Sequence, residues 1–91
     1  MVNATRIIVR GLVQGVFFRD SVRKEAQELG LTGTVMNKSD GSVEIILFGE
    51  ENNVDSLVRW CYIGPPLSEV ESVEVSEIEV EHVLKDFRVI G

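Results

Sequence analysis

Arg19 closes a short run, Gly11-Leu-Val-Gln-Gly-Val-Phe-Phe18, that carries two glycines. The run lies between a β-branched segment and a segment of helical spacing. A strand, a glycine-bearing loop and a helix, in that order, make an anion-binding arrangement. The first N–H groups of a helix have no acceptors within it, and the helix dipole places partial positive charge there. Gln14-Gly-Val-Phe-Phe18 adds main-chain donors if it curls into a nest. The Arg19 guanidinium can grip two oxygens of one phosphoryl group. An ordinary glycine turn followed by a surface arginine fits the same residues equally well, and physics alone does not separate the two.

Asn37 is the other candidate. Its amide both donates and accepts, which suits orienting a water molecule. Asparagine ahead of Lys38-Ser-Asp-Gly41 is also a common turn starter, and spacing alone favours that role. Other phosphate chemistry is poorly supplied. Gly-x-x-x-x-Gly-Lys-Ser/Thr is absent. Cys61 has Leu67, not arginine, six positions on, and it falls on an apolar helical stripe, where packing is the expected role. His82, the one histidine, is expected to be a surface or structural residue. No cluster of histidines and carboxylates suggests a metal, and no cofactor is implied.

These residues need elements to position them. Arg6-Ile-Ile-Val-Arg10 reads as a strand closed by Gly11. Val22, Ala26 and Leu29 have helical spacing, with Arg23, Lys24, Gln27 and Glu28 on the solvated side, so a helix from about Asp20 to Leu29 follows, stopped by Gly30. Leu31–Asn37 and Ser42–Gly49 form a strand pair across an Asp40-Gly41 hairpin. Val43, Ile45 and Leu47 alternate with Glu44, Ile46 and Phe48, so bulky residues stand on both faces of that strand. Val54, Leu57, Val58 and Cys61 mark a second helix over Asn53–Ile63, capped by Asn52 or Asn53 and ended by Gly64-Pro65-Pro66. Val73 and Val75 change phase to Ile78 and Val80, which predicts a β-bulge at Ser76-Glu77. Phe87 to Ile90 is a short last strand. The order predicts an α+β ferredoxin-like sandwich, βαββαβ with a short extra C-terminal strand, its two helices on one face of an antiparallel sheet.

Size and charge narrow the function. Ninety-one residues suffice for one domain, residues 1–91, and a monomer is the expectation. The longest apolar run is Ile45–Phe48, far short of the ~20 residues a spanning helix needs, so no membrane partner is expected. The start of the chain shows no signal-like stretch, which predicts a cytoplasmic protein. Residues 1–38 hold six Lys/Arg and three Asp/Glu, whereas residues 39–91 hold three and twelve. A small anion is drawn to the first part, but no broad basic face exists for nucleic acid. Glu69, Glu71, Glu74, Glu77, Glu79 and Glu81 have no basic residue among them. They read as a solvated strand face that discourages edge pairing, with an interaction role the lesser possibility.

Gly11-Leu-Val-Gln-Gly-Val-Phe-Phe-Arg19 resembles the acylphosphatase signature, Gly-x-Val-Gln-Gly-Val-x-Phe-Arg. Leu29-Gly-Leu-x-Gly-x-Val-x-Asn37 is similar to that family's second block, and Asp40-Gly41-x-Val-Glu44 continues it. Gly49, Gly64-Pro65 and the valine-rich fourth strand also have equivalents there, so the resemblance spans roughly residues 5–90. Leu12 departs from a frequent arginine and Thr34 from a common aromatic.

The resemblance implies metal-independent hydrolysis of the carboxyl–phosphate bond of a small acyl phosphate. It implies that Gln14, Gly15, Val16, Phe17, Phe18 and Arg19 form the phosphate loop, that Arg19 and the amides of residues 15–19 hold the phosphoryl group, and that Asn37 positions water. A non-catalytic module binding phosphate or carbamoyl phosphate is the alternative. That the chain begins and stops at the edges of the domain favours the free enzyme.

Overall fold

The computed structural model describes residues 1–91. Its elements are β1 (Val2–Leu12), α1 (Phe18–Glu28), β2 (Thr32–Asn37), β3 (Val43–Phe48), α2 (Glu51–Cys61), β4 (Glu69–Val80) and β5 (Phe87–Val89). The five strands lie in the order β4-β1-β3-β2-β5. Three pairings are antiparallel, but β5 runs parallel to β2, so the sheet is mixed rather than wholly antiparallel. The short terminal strand accounts for the difference. After β4 the chain crosses to the far edge of the sheet, where β5 joins β2 in the same direction.

One sheet face carries Ile7 and Val9 of β1, Val43, Ile45 and Leu47 of β3, and Val35 of β2, all buried. These side chains form one cluster with Phe18, Val22 and Ala26 of α1 and Val54, Leu57 and Cys61 of α2. The two helices therefore seal the face where strand alternation and helical spacing agree. Phe18 meets Trp60 with ring centroids 5.6 Å apart and planes tilted by 56°, which joins the starts and ends of the two helices.

The other face has no helix. Arg6 pairs with Glu44 at 2.7 Å and Arg10 with Glu74 at 2.8 Å, on either side of buried Ile8. An arginine placed so can lay its aliphatic stem along apolar surface while its head stays with the carboxylate. This is how a strand with bulky residues on both sides is tolerated.

The expected bulge at Ser76-Glu77 does not occur. Arg6 faces Ser76 and Thr5 faces Glu77 in regular register, and the shift falls instead between Arg10 and Gly11. Val73 and Val75 lie on the helix side, whereas Ile78 and Val80 lie on the opposite side. An edge strand such as β4 does not require one consistently buried face, so the change of phase needs no extra residue. Gly11 has φ +129°, and a Cβ there would meet the Glu69 carbonyl at 2.2 Å. The bulge needs glycine, and β1 continues past it to Leu12 instead of ending before it.

Both helices begin earlier than their spacing suggested. The second starts at Glu51 with Glu50 as its N-cap, so neither Asn52 nor Asn53 caps it, and no side chain does. It ends at Cys61 rather than the expected Ile63, and Gly64 at φ +68° follows, donating to the Trp60 carbonyl. Gly30 ends α1 in the same way, at φ +69°.

Candidate active site

β1 leads into residues 13–17, and these turn the chain into α1. Two residues of the turn hold the left-handed conformation: Gly15 at φ +75° and Phe17 at φ +63°. For a phenylalanine this costs about 1–3 kcal/mol, a strain that recurs where a backbone must aim its polar groups. Phe17 also remains 74% exposed, so burial of its ring does not offset the cost. By contrast Val16 and Phe18 are buried and anchor the turn in the core. Only their main-chain groups can face a ligand.

None of the N–H groups from Gln14 to Asp20 donates a hydrogen bond within the chain; the first helical donation at this end is from Ser21 to the Phe17 carbonyl, at 3.1 Å. A turn with alternating left-handed residues directs such donors inward, and the helix dipole adds positive potential at the same point.

The Gln14 side chain has a different task. Its Nε2 donates to the carbonyls of Lys38, at 2.8 Å, and Ser42, at 2.9 Å. The loop is thereby tied to the β2–β3 hairpin that begins at Asn37. The hairpin has its own support: Asp40 Oδ1 accepts from the Ser42 N–H at 3.0 Å and from its hydroxyl at 2.6 Å. These hydrogen bonds, more than any charge, hold the Asp40 carboxyl below its ordinary pKa of 3.8.

Arg19 and Asn37 come together. Both line a cavity of about 500 Å³ that is also bounded by Gly15, Phe17 and Val89. The Asn37 amide oxygen, Oδ1, is buried without a donor, and the Asn37 main-chain N–H donates to the Gly91 oxygen at 2.9 Å. Arg19 Nη1 donates to that same Gly91 oxygen. The end of the chain thus bridges the guanidinium and the backbone of Asn37. Of the remaining sequence candidates, Cys61 is fully buried on α2, with its thiol pushed up to about 12 by burial, and His82 is exposed beyond β4. Neither lines the cavity.

Sequence reasoning missed two participants. Gly91 carries no side chain and acts through its main-chain oxygen, so no residue type signals it. Arg23 also lines the cavity, though its spacing had assigned it to the solvated side of α1. Its position one turn after Arg19 was the available clue.

The acylphosphatase family model matches residues 5–89. The chain belongs to the acylphosphatase family. An acylphosphatase of Rubrobacter xylanophilus is 57% identical over 72 residues, covering 79% of this chain and 66% of that protein. The structure of an acylphosphatase from Coxiella burnetii superposes with a TM-score of 0.90 at 48% identity, covering 97% of this chain and 92% of that one. The crystal structure of the acylphosphatase from Bacillus subtilis gives a TM-score of 0.92 at 39% identity, covering 99% and 100%. Family membership brings the activity with it: hydrolysis of the carboxyl–phosphate anhydride of small acyl phosphates, releasing a carboxylate and inorganic phosphate. The catalytic reading therefore stands over that of a silent binding module.

Proposed function

We propose that the cavity at the head of α1 is the reaction centre of this acylphosphatase. The phosphoryl group sits on the main-chain N–H groups of Gly15 to Arg19 and on the Arg19 guanidinium. Asn37 orients the attacking water, and Gln14 braces the loop. The observation that carries this reading is the convergence of Arg19, Asn37 and a turn of unpaired N–H groups on one cavity.

In the reaction, the water oxygen forms a bond to phosphorus as the bond from phosphorus to the acyl oxygen breaks. The electron pair of that bond leaves with the carboxylate. The proton of the water passes to a phosphoryl oxygen, so no side chain need act as a strong base. Phosphoryl transfer asks the protein mainly for positioning and charge stabilisation, and both are what this cavity can offer. Arg19 has five N–H donors and gives one to Gly91, so most of its fork is available to phosphoryl oxygens.

The leaving carboxylate is the anion of an acid with a pKa near 4 and departs without a proton donor or a Lewis acid. This chemistry supports the metal-independent form of the reaction. One domain, residues 1–91, supplies every group named, so a monomer suffices. The compartment we propose is the cytoplasm, where the lone thiol of Cys61 stays reduced.

Hydrolysis of benzoyl phosphate by the wild type, Arg19→Ala and Asn37→Ala tests the assignment. Arg19→Ala should remove nearly all turnover and weaken inhibition by inorganic phosphate. Asn37→Ala should lower kcat by about 10²- to 10³-fold, the usual loss for one oriented polar group, and leave phosphate inhibition largely in place. Full activity in either variant would remove that residue from the mechanism.

A further inference from the structure

Arg23 follows Arg19 by one helical turn, a rise of about 6 Å along α1. It lines the same cavity as Arg19 and Asn37. Its Nη2 donates to Asp20 Oδ1 at 2.5 Å, but its Nε is buried without an acceptor. A guanidinium stays charged in a protein and carries five donors; Asp20 takes one and the side chain is 42% exposed, so its outer N–H groups, rather than the buried Nε, are open to an acceptor in the cavity. Asp20 lines the cavity too, and against Arg19 and Arg23 it leaves one net positive charge there. Its other oxygen lies 3.8 Å from Lys24 Nζ, so one carboxylate is shared between two cations and the trio keeps one positive charge.

We propose that Arg23 is a specificity residue, whose guanidinium receives a second anionic group carried on the acyl half of the substrate. The enzyme then favours acyl phosphates with a charged acyl chain over those with an uncharged one. This rests on Arg19 and the loop amides being the phosphoryl seat. That seat lies on the first turn of α1, and Arg23, one turn on in sequence, lines the same cavity. Phe17 and Val89 line the cavity with exposed apolar surface suited to the carbon skeleton between the two anions. The planar fork of arginine matches a carboxylate bidentately, which an ammonium group cannot do.

The test compares benzoyl phosphate with 4-carboxybenzoyl phosphate, whose rigid ring keeps the carboxylate from attacking its own anhydride. The readout is the ratio of kcat/KM for the carboxylated over the plain substrate, which does not depend on how much of a variant is folded. Arg23→Gln should lower this ratio by about tenfold or more, through KM for the carboxylated substrate, because a charge-assisted hydrogen bond is worth at least that factor. Arg23→Lys should give an intermediate ratio. A ratio unchanged in Arg23→Gln would overturn the proposal, whether both substrates lose equally or neither loses. Arg19→Ala, run in parallel, keeps the two readings apart. If that variant turns over benzoyl phosphate normally, the phosphoryl seat is wrong; if it is inactive while the Arg23 ratio stays fixed, only the role of Arg23 fails.

Discussion

A guanidinium helps a reaction only when it is held in place with donors to spare. Arg19 meets both conditions, one N–H being given to the Gly91 oxygen and the rest left to the cavity. Its type and its place after the glycine loop were readable from the sequence. Asn37 was more ambiguous, because starting a hairpin and facing a ligand call for the same residue. β2 ends there, and the residue lines the cavity with its Oδ1 buried and unpartnered. Arg23 was read as solvated, and its side chain is 42% exposed; helical spacing reports which side of α1 meets the core but not that strand ends form a cavity beside the other. Cys61 was read correctly as packing. Burial pushes its thiol up from 9.0 to about 12, so it stays neutral at any pH where the protein is handled. A thiol-disulfide reagent at pH 8 should leave the native protein unmodified and label one thiol per chain in concentrated guanidinium chloride. Rapid labelling of the native state would contradict this burial. The raised pKa also means that stability falls as pH rises from 9.0 towards 12, since only the unfolded chain ionises freely there.

Among the elements, the strand–loop–helix unit and the β2–β3 hairpin matter most, and Gln14 is the link between them. The hairpin carbonyls it reaches have other donors: Gly41 N–H for Lys38, at 3.1 Å, and Lys38 N–H for Ser42, at 2.8 Å. Gln14→Ala therefore strands no acceptor and should cost only about 1 kcal/mol in urea unfolding. Its effect on catalysis should be larger. Once the loop can drift from the hairpin, Arg19 and Asn37 lose their mutual placement, and kcat/KM for benzoyl phosphate should fall by about tenfold or more. A loss in stability with unaltered kcat/KM would show that the link is not needed for the site. Element order and type were legible because hydrophobic period separates helix from strand reliably. Boundaries were less so. β1 runs on through Gly11 because a bulge lets it, and α2 starts at Glu51 because no capping side chain was needed. The phase change in β4 was visible, but its meaning depended on β4 being an edge strand, which only tertiary structure decides.

At the scale of the molecule, the order β4-β1-β3-β2-β5 puts the β1–α1 loop beside the hairpin end of β2 and brings β5 and Gly91 across to meet them. Residues distant in sequence thus share one cavity, and the terminal strand contributes an oxygen that no motif announces. The parallel pairing of β5 could not be read from a strand so short. Charge is divided in the same sense. Glutamates of β4 lie at the edge of the sheet remote from β5, and Arg19 and Arg23 stand at the cavity. The central claim is that a phosphoryl group is held by the turn at the head of α1, with Arg19 and Asn37 beside it. The most direct measurement is a titration with inorganic phosphate followed by amide chemical shifts. The largest saturable changes should fall on the main-chain N–H groups of residues 14–20, with the Arg19 Nε and the Asn37 side-chain amide moving at the same phosphate concentration. Saturable shifts confined to any other part of the surface would contradict the account.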